Sequence, residues 1–193
     1  MKKKLLVLGA MVCLIAILAA GTLAYFTTYA VAHNVITSGE IDISVVEVGP
    51  KESTPLEGGG FSVSGVMPNT SVKKEVAVKN EALQPAWVRV KLDCAIARKD
   101  GQTGDSKLID YVYPENSDWV KHTDGYYYYK KPLEAGQTSS LLIKEVAFAP
   151  EMDNPYQECT VTVTVKAYAV QTANNAPASG NVLEVKGWPA DLT

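Results

Sequence analysis

Histidine is nearly missing from this chain. His33 and His122 are the only two among 193 residues. Neither belongs to an H-E-x-x-H pair, so the helix-spaced ligand set of a zinc hydrolase is not written here. The chain also lacks a G-x-S-x-G elbow and a phosphate-binding glycine loop. No basic patch exists to neutralise phosphates, which argues against nucleic acid as a partner. Aspartates and glutamates are scattered, as on a solvated face. Asp105, Asp110, Glu115, Asp118 and Asp124 follow no EF-hand spacing and read as a solvated loop rather than a calcium site. Beyond residue 40 there is no internal repeat and no long helical period. No catalytic residue, metal ligand or cofactor is expected from these absences, and the chain does not read as an enzyme.

What is present begins at the N-terminus. Lys2, Lys3 and Lys4 precede an apolar run from Leu5 to Ala20 that carries no charge. Small residues follow it, in Gly21-Thr22-Leu23-Ala24. A basic start, an apolar middle and a small-residue exit make an export signal. The run is shorter than the roughly 20 residues a spanning helix needs. Cleavage is expected between Ala24 and Tyr25, with Ala30-Val31-Ala32 as a second site that fits the same rule. If the leader is instead retained, it is the chain's one membrane attachment. Its loss takes the formal charge from −3 to −6, since three lysines and no acidic residue leave with it.

The rest has a period of two. In Ala86 to Ala97, Val88, Val90, Leu92, Cys94 and Ile96 share one face, while Trp87, Arg89, Lys91 and Asp93 share the other. Glu158 to Val170 repeats the pattern, with Cys159, Val161, Val163, Val165, Ala167 and Ala169 on one side. Weaker strands are expected at Ile41–Val48, Phe61–Val66, Val72–Lys79, Tyr126–Lys130 and Ser140–Phe148. Gly58-Gly59-Gly60, Met67-Pro68-Asn69-Thr70 and Ala135-Gly136-Gln137 are turn signals, and Asp124-Gly125 marks a hairpin after Trp119–His122. Asp100–Ser106 reads as an excursion loop. Short strands at regular spacing predict an antiparallel β-sandwich or jelly roll. The expected organisation is a signal peptide at 1–24, an extended segment at 25–40, a β-sandwich at 41–171 and a tail at 172–193. Leu183, Val185 and Trp188 in that tail are apolar enough to pack back on the domain.

Two features invite a role. Cys13 leaves with the leader, and Cys94 and Cys159 remain in apolar rows. They can form one disulfide in an oxidising compartment or stay as two buried thiols. The run Tyr126-Tyr127-Tyr128-Tyr129 sends alternate rings to opposite faces. The outer pair is either a surface aromatic patch for a partner or the ordinary exposed side of an amphipathic strand.

Gly21-Thr22-Leu23-Ala24-Tyr25-Phe26-Thr27, then Asn34 and Ser38-Gly39-Glu40-Ile41-Asp42-Ile43, resembles the start of the TasA and camelysin family. Met67 to Lys74, Val76 to Asn80 and Thr164 to Gln171 resemble that family's later turn and strands. The resemblance implies export through a SipW-like signal peptidase in a Gram-positive bacterium. It also implies a jelly roll at the cell surface or in the extracellular biofilm matrix. In that family, subunits form fibres by donating the mature N-terminal segment to the next subunit. The corresponding donor positions here are Tyr25, Phe26, Val31, Val35 and Ile36. Residues 25–37 contain no Asp, Glu, Lys or Arg, so this stretch needs an apolar place to pack, on its own domain or on a neighbour. The expected partners are copies of the chain or a related fibre subunit. A monomeric secreted adhesin using the exposed tyrosines is the alternative. Camelysin-like peptidase activity is not carried over, because no ligand set matches.

Overall fold

The computed structural model describes residues 41–49, 54–55, 60–64 and 66–190. The expected leader, the Ala24/Tyr25 cut, His33 and the donor positions Tyr25, Phe26, Val31, Val35 and Ile36 lie outside the described residues. Among the described residues there are ten strands: β1 (Ile43–Val48), β2 (Thr54–Pro55), β3 (Gly60–Ser64), β4 (Ser71–Asn80), β5 (Ala86–Ala97), β6 (Ile109–Val112), β7 (Trp119–Lys121), β8 (Tyr126–Tyr129), β9 (Ile143–Phe148) and β10 (Thr160–Gln171). They form a four-stranded sheet in the order β1-β4-β9-β6 and a six-stranded sheet in the order β2-β3-β10-β5-β8-β7, with every pairing antiparallel. Among the described residues there is no α-helix, and no helix long and apolar enough to cross a membrane.

The strongest period-two segment becomes β5 with the expected bounds. Its partner β10 starts two residues later than the pattern suggests, because Glu158 takes a left-handed backbone (φ 60°) that a ladder cannot continue. β5 and β10 pair from Ala86↔Gln171 through Ala97↔Thr160. Their inward rows, with Val76 and Val78 of β4 and Ile143 and Val146 of β9, make one core between the sheets. The Asp124-Gly125 hairpin forms as expected between β7 and β8, with Gly125 at φ 86°. β6 has no counterpart among the expected strands. The chain leaves the large sheet after β5, crosses to the margin of the small one, and returns as β7.

Two close approaches fix the sheets. Gly60 sits at φ 110°, and a Cβ there would lie 1.8 Å from the Val163 carbonyl oxygen of β10. Asn80, fully buried at the end of β4, donates to the carbonyls of Gln84 and Leu133 at 2.8 Å each, and its Oδ1 accepts from Ala82 N at 3.0 Å. This network sets the β4–β5 turn and satisfies every polar atom of a side chain that would otherwise be costly to bury.

Lys74 is a charged departure from the apolar filling of the core. Alternation along β4 places it in the inward row with Val72, Val76 and Val78, and its side chain is 2% exposed. Its Nζ lies 3.1 Å from Glu47 Oε1 of β1 and 4.7 Å from the Phe61 ring centre of β3. Glu47 Oε2 accepts from Gly60 N at 2.8 Å. The pair thus ties the β1 margin of one sheet to β3 of the other. Desolvation lowers the Lys74 pKa from its ordinary value, against the opposing pull of Glu47.

Gly60→Ala is expected to destabilise the fold by roughly 3 kcal/mol or more, because the clash is with backbone that cannot yield. A midpoint of urea unfolding within error of the parent would refute this. Lys74→Ala should cost about 3–5 kcal/mol by leaving Glu47 without its counter-charge. Lys74→Met with Glu47→Gln should recover most of that loss, since the introduced amide oxygen can still accept from Gly60 N. A double variant no more stable than Lys74→Ala in the same unfolding experiment would contradict the role given to the pair.

Candidate functional site

The tyrosine strand β8 lies at the centre of the side chains that the sequence singles out. Its four rings are all buried, at 4–6% exposure. This corrects the expectation of a surface aromatic patch at Tyr126, Tyr127, Tyr128 and Tyr129. Alternation does split them. Tyr127 and Tyr129 enter the core between the sheets, and Tyr126 and Tyr128 point to the outer face of the large sheet. The outer pair is covered by the segment that follows β10. Val182, Val185 and Trp188 of that segment pack with Trp87, Tyr126, Tyr128, Tyr168 and Val170.

Arg89 is the pin of this outer cluster. Its guanidinium carbon lies 3.9 Å from the Tyr126 ring centre, 4.9 Å from Trp188 and 5.3 Å from Tyr168. Its Nη2 donates to the Pro189 carbonyl at 3.0 Å. A planar cation among aromatic faces joins the C-terminal segment to β5, β8 and β10 through contacts that a lysine point charge would not reproduce.

The inner face is less evenly covered. Val88 and Val90 of β5 are fully buried, but the next two inward residues, Leu92 and Cys94, are half-buried. Around them stand Tyr111 of β6, Tyr113 just beyond it, and Tyr127. Tyr113 and Tyr127 share a hydroxyl–hydroxyl hydrogen bond of 2.6 Å. The Tyr111 hydroxyl is buried without a hydrogen-bond partner among the described residues. Desolvation raises the pKa of half-buried Tyr111 and of the more exposed Tyr113 above the ordinary 10, with Cys94 adding to the effect at Tyr111 and the shared hydrogen bond adding to it at Tyr113. Burial also raises Tyr127 and Tyr128.

Among the described residues, Cys94 and Cys159 are free thiols. Cys94 faces Val163, four residues along from Cys159, so the two lie roughly 13 Å apart along the ladder. That exceeds the Cα separation a disulfide spans and corrects the candidate Cys94–Cys159 bridge. Burial pushes the Cys94 thiol up to about 11 and raises Cys159 as well, so neither is an activated nucleophile. His122 is partly exposed and faces Asp124 at 3.3 Å. The carboxylates singled out in the sequence do not converge. Asp105 accepts from Lys107 N, Asp118 pairs with Lys131, and Asp124 accepts from the Tyr128 hydroxyl at 2.6 Å. Among the described residues no group of three or more His, Cys, Asp or Glu side chains is placed to hold a metal.

The desolvated phenols of Tyr111 and Tyr127 set an alkaline limit. A tyrosine whose folded pKa lies above its unfolded value favours the fold while neutral. Its contribution is complete below pH 10, the ordinary value, and is lost as the pH climbs above it. Ultraviolet titration should therefore show these tyrosinates forming together with loss of the near-ultraviolet circular dichroism. Ordinary titration of every tyrosine in an intact fold would refute the assignment.

Comparison of the chain with protein-family models, with curated proteins and with solved structures returned no match.

Proposed function

We propose that this chain is an exported structural subunit of a bacterial cell surface or biofilm matrix. In this reading it assembles into fibres through its uncharged N-terminal segment, residues 25–37, after a SipW-like peptidase removes the leader. The observation that carries the reading is where that segment joins the fold. It runs into β1, the terminal strand in the order of the four-stranded sheet. A strand at the end of a sheet order has one unshared side among the described residues, and such a margin can pair with a strand of a neighbouring molecule.

The jelly-roll reading belongs to the same proposal. Two features support it: the chain changes sheets at nearly every connection, and β3, β10, β5 and β8 lie side by side in that order. An adhesin working through exposed tyrosines has lost its surface, since all four rings are buried. The described residues also offer no ligand cluster for a metallopeptidase.

Secreted protein beginning at Tyr25 is expected to form high-molecular-weight species, and a chain beginning at Ser38 is expected to stay monomeric with the same circular dichroism. Sedimentation velocity on the two chains at equal concentration checks this. Equal sedimentation of both removes the segment from the mechanism.

A further inference from the structure

Three polar atoms of the outer cluster are shut off from solvent and have no hydrogen-bond partner among the described residues. They are Trp87 Nε1, Arg89 Nε and the Tyr168 hydroxyl. Trp87 is 6% exposed and Tyr168 1%. The β5–β10 register sets the three side by side, since Arg89 lies opposite Tyr168 and Trp87 opposite Val170. All three can donate, and the two nitrogens can do nothing else. An unmade buried donor is costly, and native folds rarely leave several together.

The segment over them is loosely tied. Residues 180–190 form no strand, and their backbone hydrogen bonds are local: Gly180 N to Pro177, Glu184 N to Asn181 and Val185 N to Val182. Among the described residues, the bond from Arg89 to the Pro189 carbonyl is their one hydrogen bond to the sheets. The hold otherwise comes from Val182, Val185 and Trp188, and it is set against the backbone entropy of the whole stretch. The cover is apolar where the sheet offers donors, and lifting it breaks no β ladder.

We infer that this face binds an acidic glycan, a chain of uronate sugars, which displaces the C-terminal segment. The unmade donors call for acceptor oxygens, which a sugar ring carries at close spacing. The Arg89 guanidinium is a planar fork that suits a carboxylate. Trp87, Tyr126 and Tyr168 supply ring faces for the apolar side of a sugar. The same segment from a second copy would leave the same three donors unmade, so exchange between copies does not answer the deficit. A nucleic acid is the wrong polyanion for a chain without a basic patch. The inference goes beyond the proposed function and does not involve residues 25–37.

Calorimetric titration of the protein with oligogalacturonate tests it, with a neutral oligosaccharide of equal length and poly-glutamate as controls. Segment and glycan compete for one face, so loosening the segment must tighten binding. Trp188→Ala is expected to raise the affinity for oligogalacturonate by about tenfold. Val185→Ala should act in the same direction, and it carries the comparison if Trp188→Ala loses its near-ultraviolet circular dichroism. Tyr168→Phe removes one unmade donor and keeps the ring. It should leave stability to urea at or above that of the parent and lower the affinity by about tenfold. Absence of binding overturns the inference, and so does binding that none of the three variants alters, since the glycan is then held elsewhere. Equal binding of the neutral oligosaccharide overturns the carboxylate contact at Arg89, and equal binding of poly-glutamate overturns the glycan. Assembly through residues 25–37 is read separately by sedimentation, so either reading can fail alone.

Discussion

The register between β5 and β10 is the constraint on which the rest depends. It runs without a break from Ala86↔Gln171 to Ala97↔Thr160. Because side chains alternate on a strand, this one register sends Val88, Val90, Val161, Val163 and Val165 to the core and Trp87, Arg89 and Tyr168 to the outer face. It also carries the Val163 carbonyl against Gly60, so the neighbouring strand tolerates no side chain there. The same register separates the cysteines. A slip by one residue would exchange the two faces and bury Asp93 and Lys166, which pair with each other at the partly exposed end of the outer face.

Unequal sheets create the second problem that the molecule solves. A four-stranded layer cannot cover a six-stranded one, and strands neighbouring in a sheet add roughly 4.8 Å of width each. At the β7–β8 end, cover comes from the chain around Ser140, where the Trp119 indole donates to the Ser140 carbonyl at 2.9 Å and its ring, tilted by 50°, lies 5.0 Å from that of Tyr129. On the outer face, cover comes from the C-terminal segment held by Arg89 and Trp188. At the β1 end, the Lys74–Glu47 pair bridges the layers. Among the described residues, the cover runs out at Leu92 and Cys94, beyond the last β8 pairing at Lys91.

Much of the architecture is legible without any coordinates. β5 has the predicted bounds, the Asp124-Gly125 hairpin forms, and the remaining strong strands fall within a few residues of expectation, because period two and turn chemistry are local properties. Lys74 is equally legible, although the sequence reading does not single it out. Alternation from Val72 to Asn80 places a lysine in an apolar row, which signals a buried charge seeking a partner. Glu47 cannot be named as that partner from spacing alone, since the pairing depends on which strands become neighbours. β6 escapes the reading because Ile109–Val112 is too short for a period to show.

The sequence by itself determined the all-β class and the division of side chains into two faces. These follow from composition and from spacing along one strand. Tertiary structure alone decided which face is solvent. Tyr126 and Tyr128 stand on the outer side as their parity requires, yet a segment some sixty residues later in the chain covers them, and no local pattern in β8 reports on that cover. It also decided that Cys94 and Cys159 stay apart and that β8 stops short of Leu92. Distances between strands are set by the order in which the chain visits the sheets, and that order is a property of the whole fold.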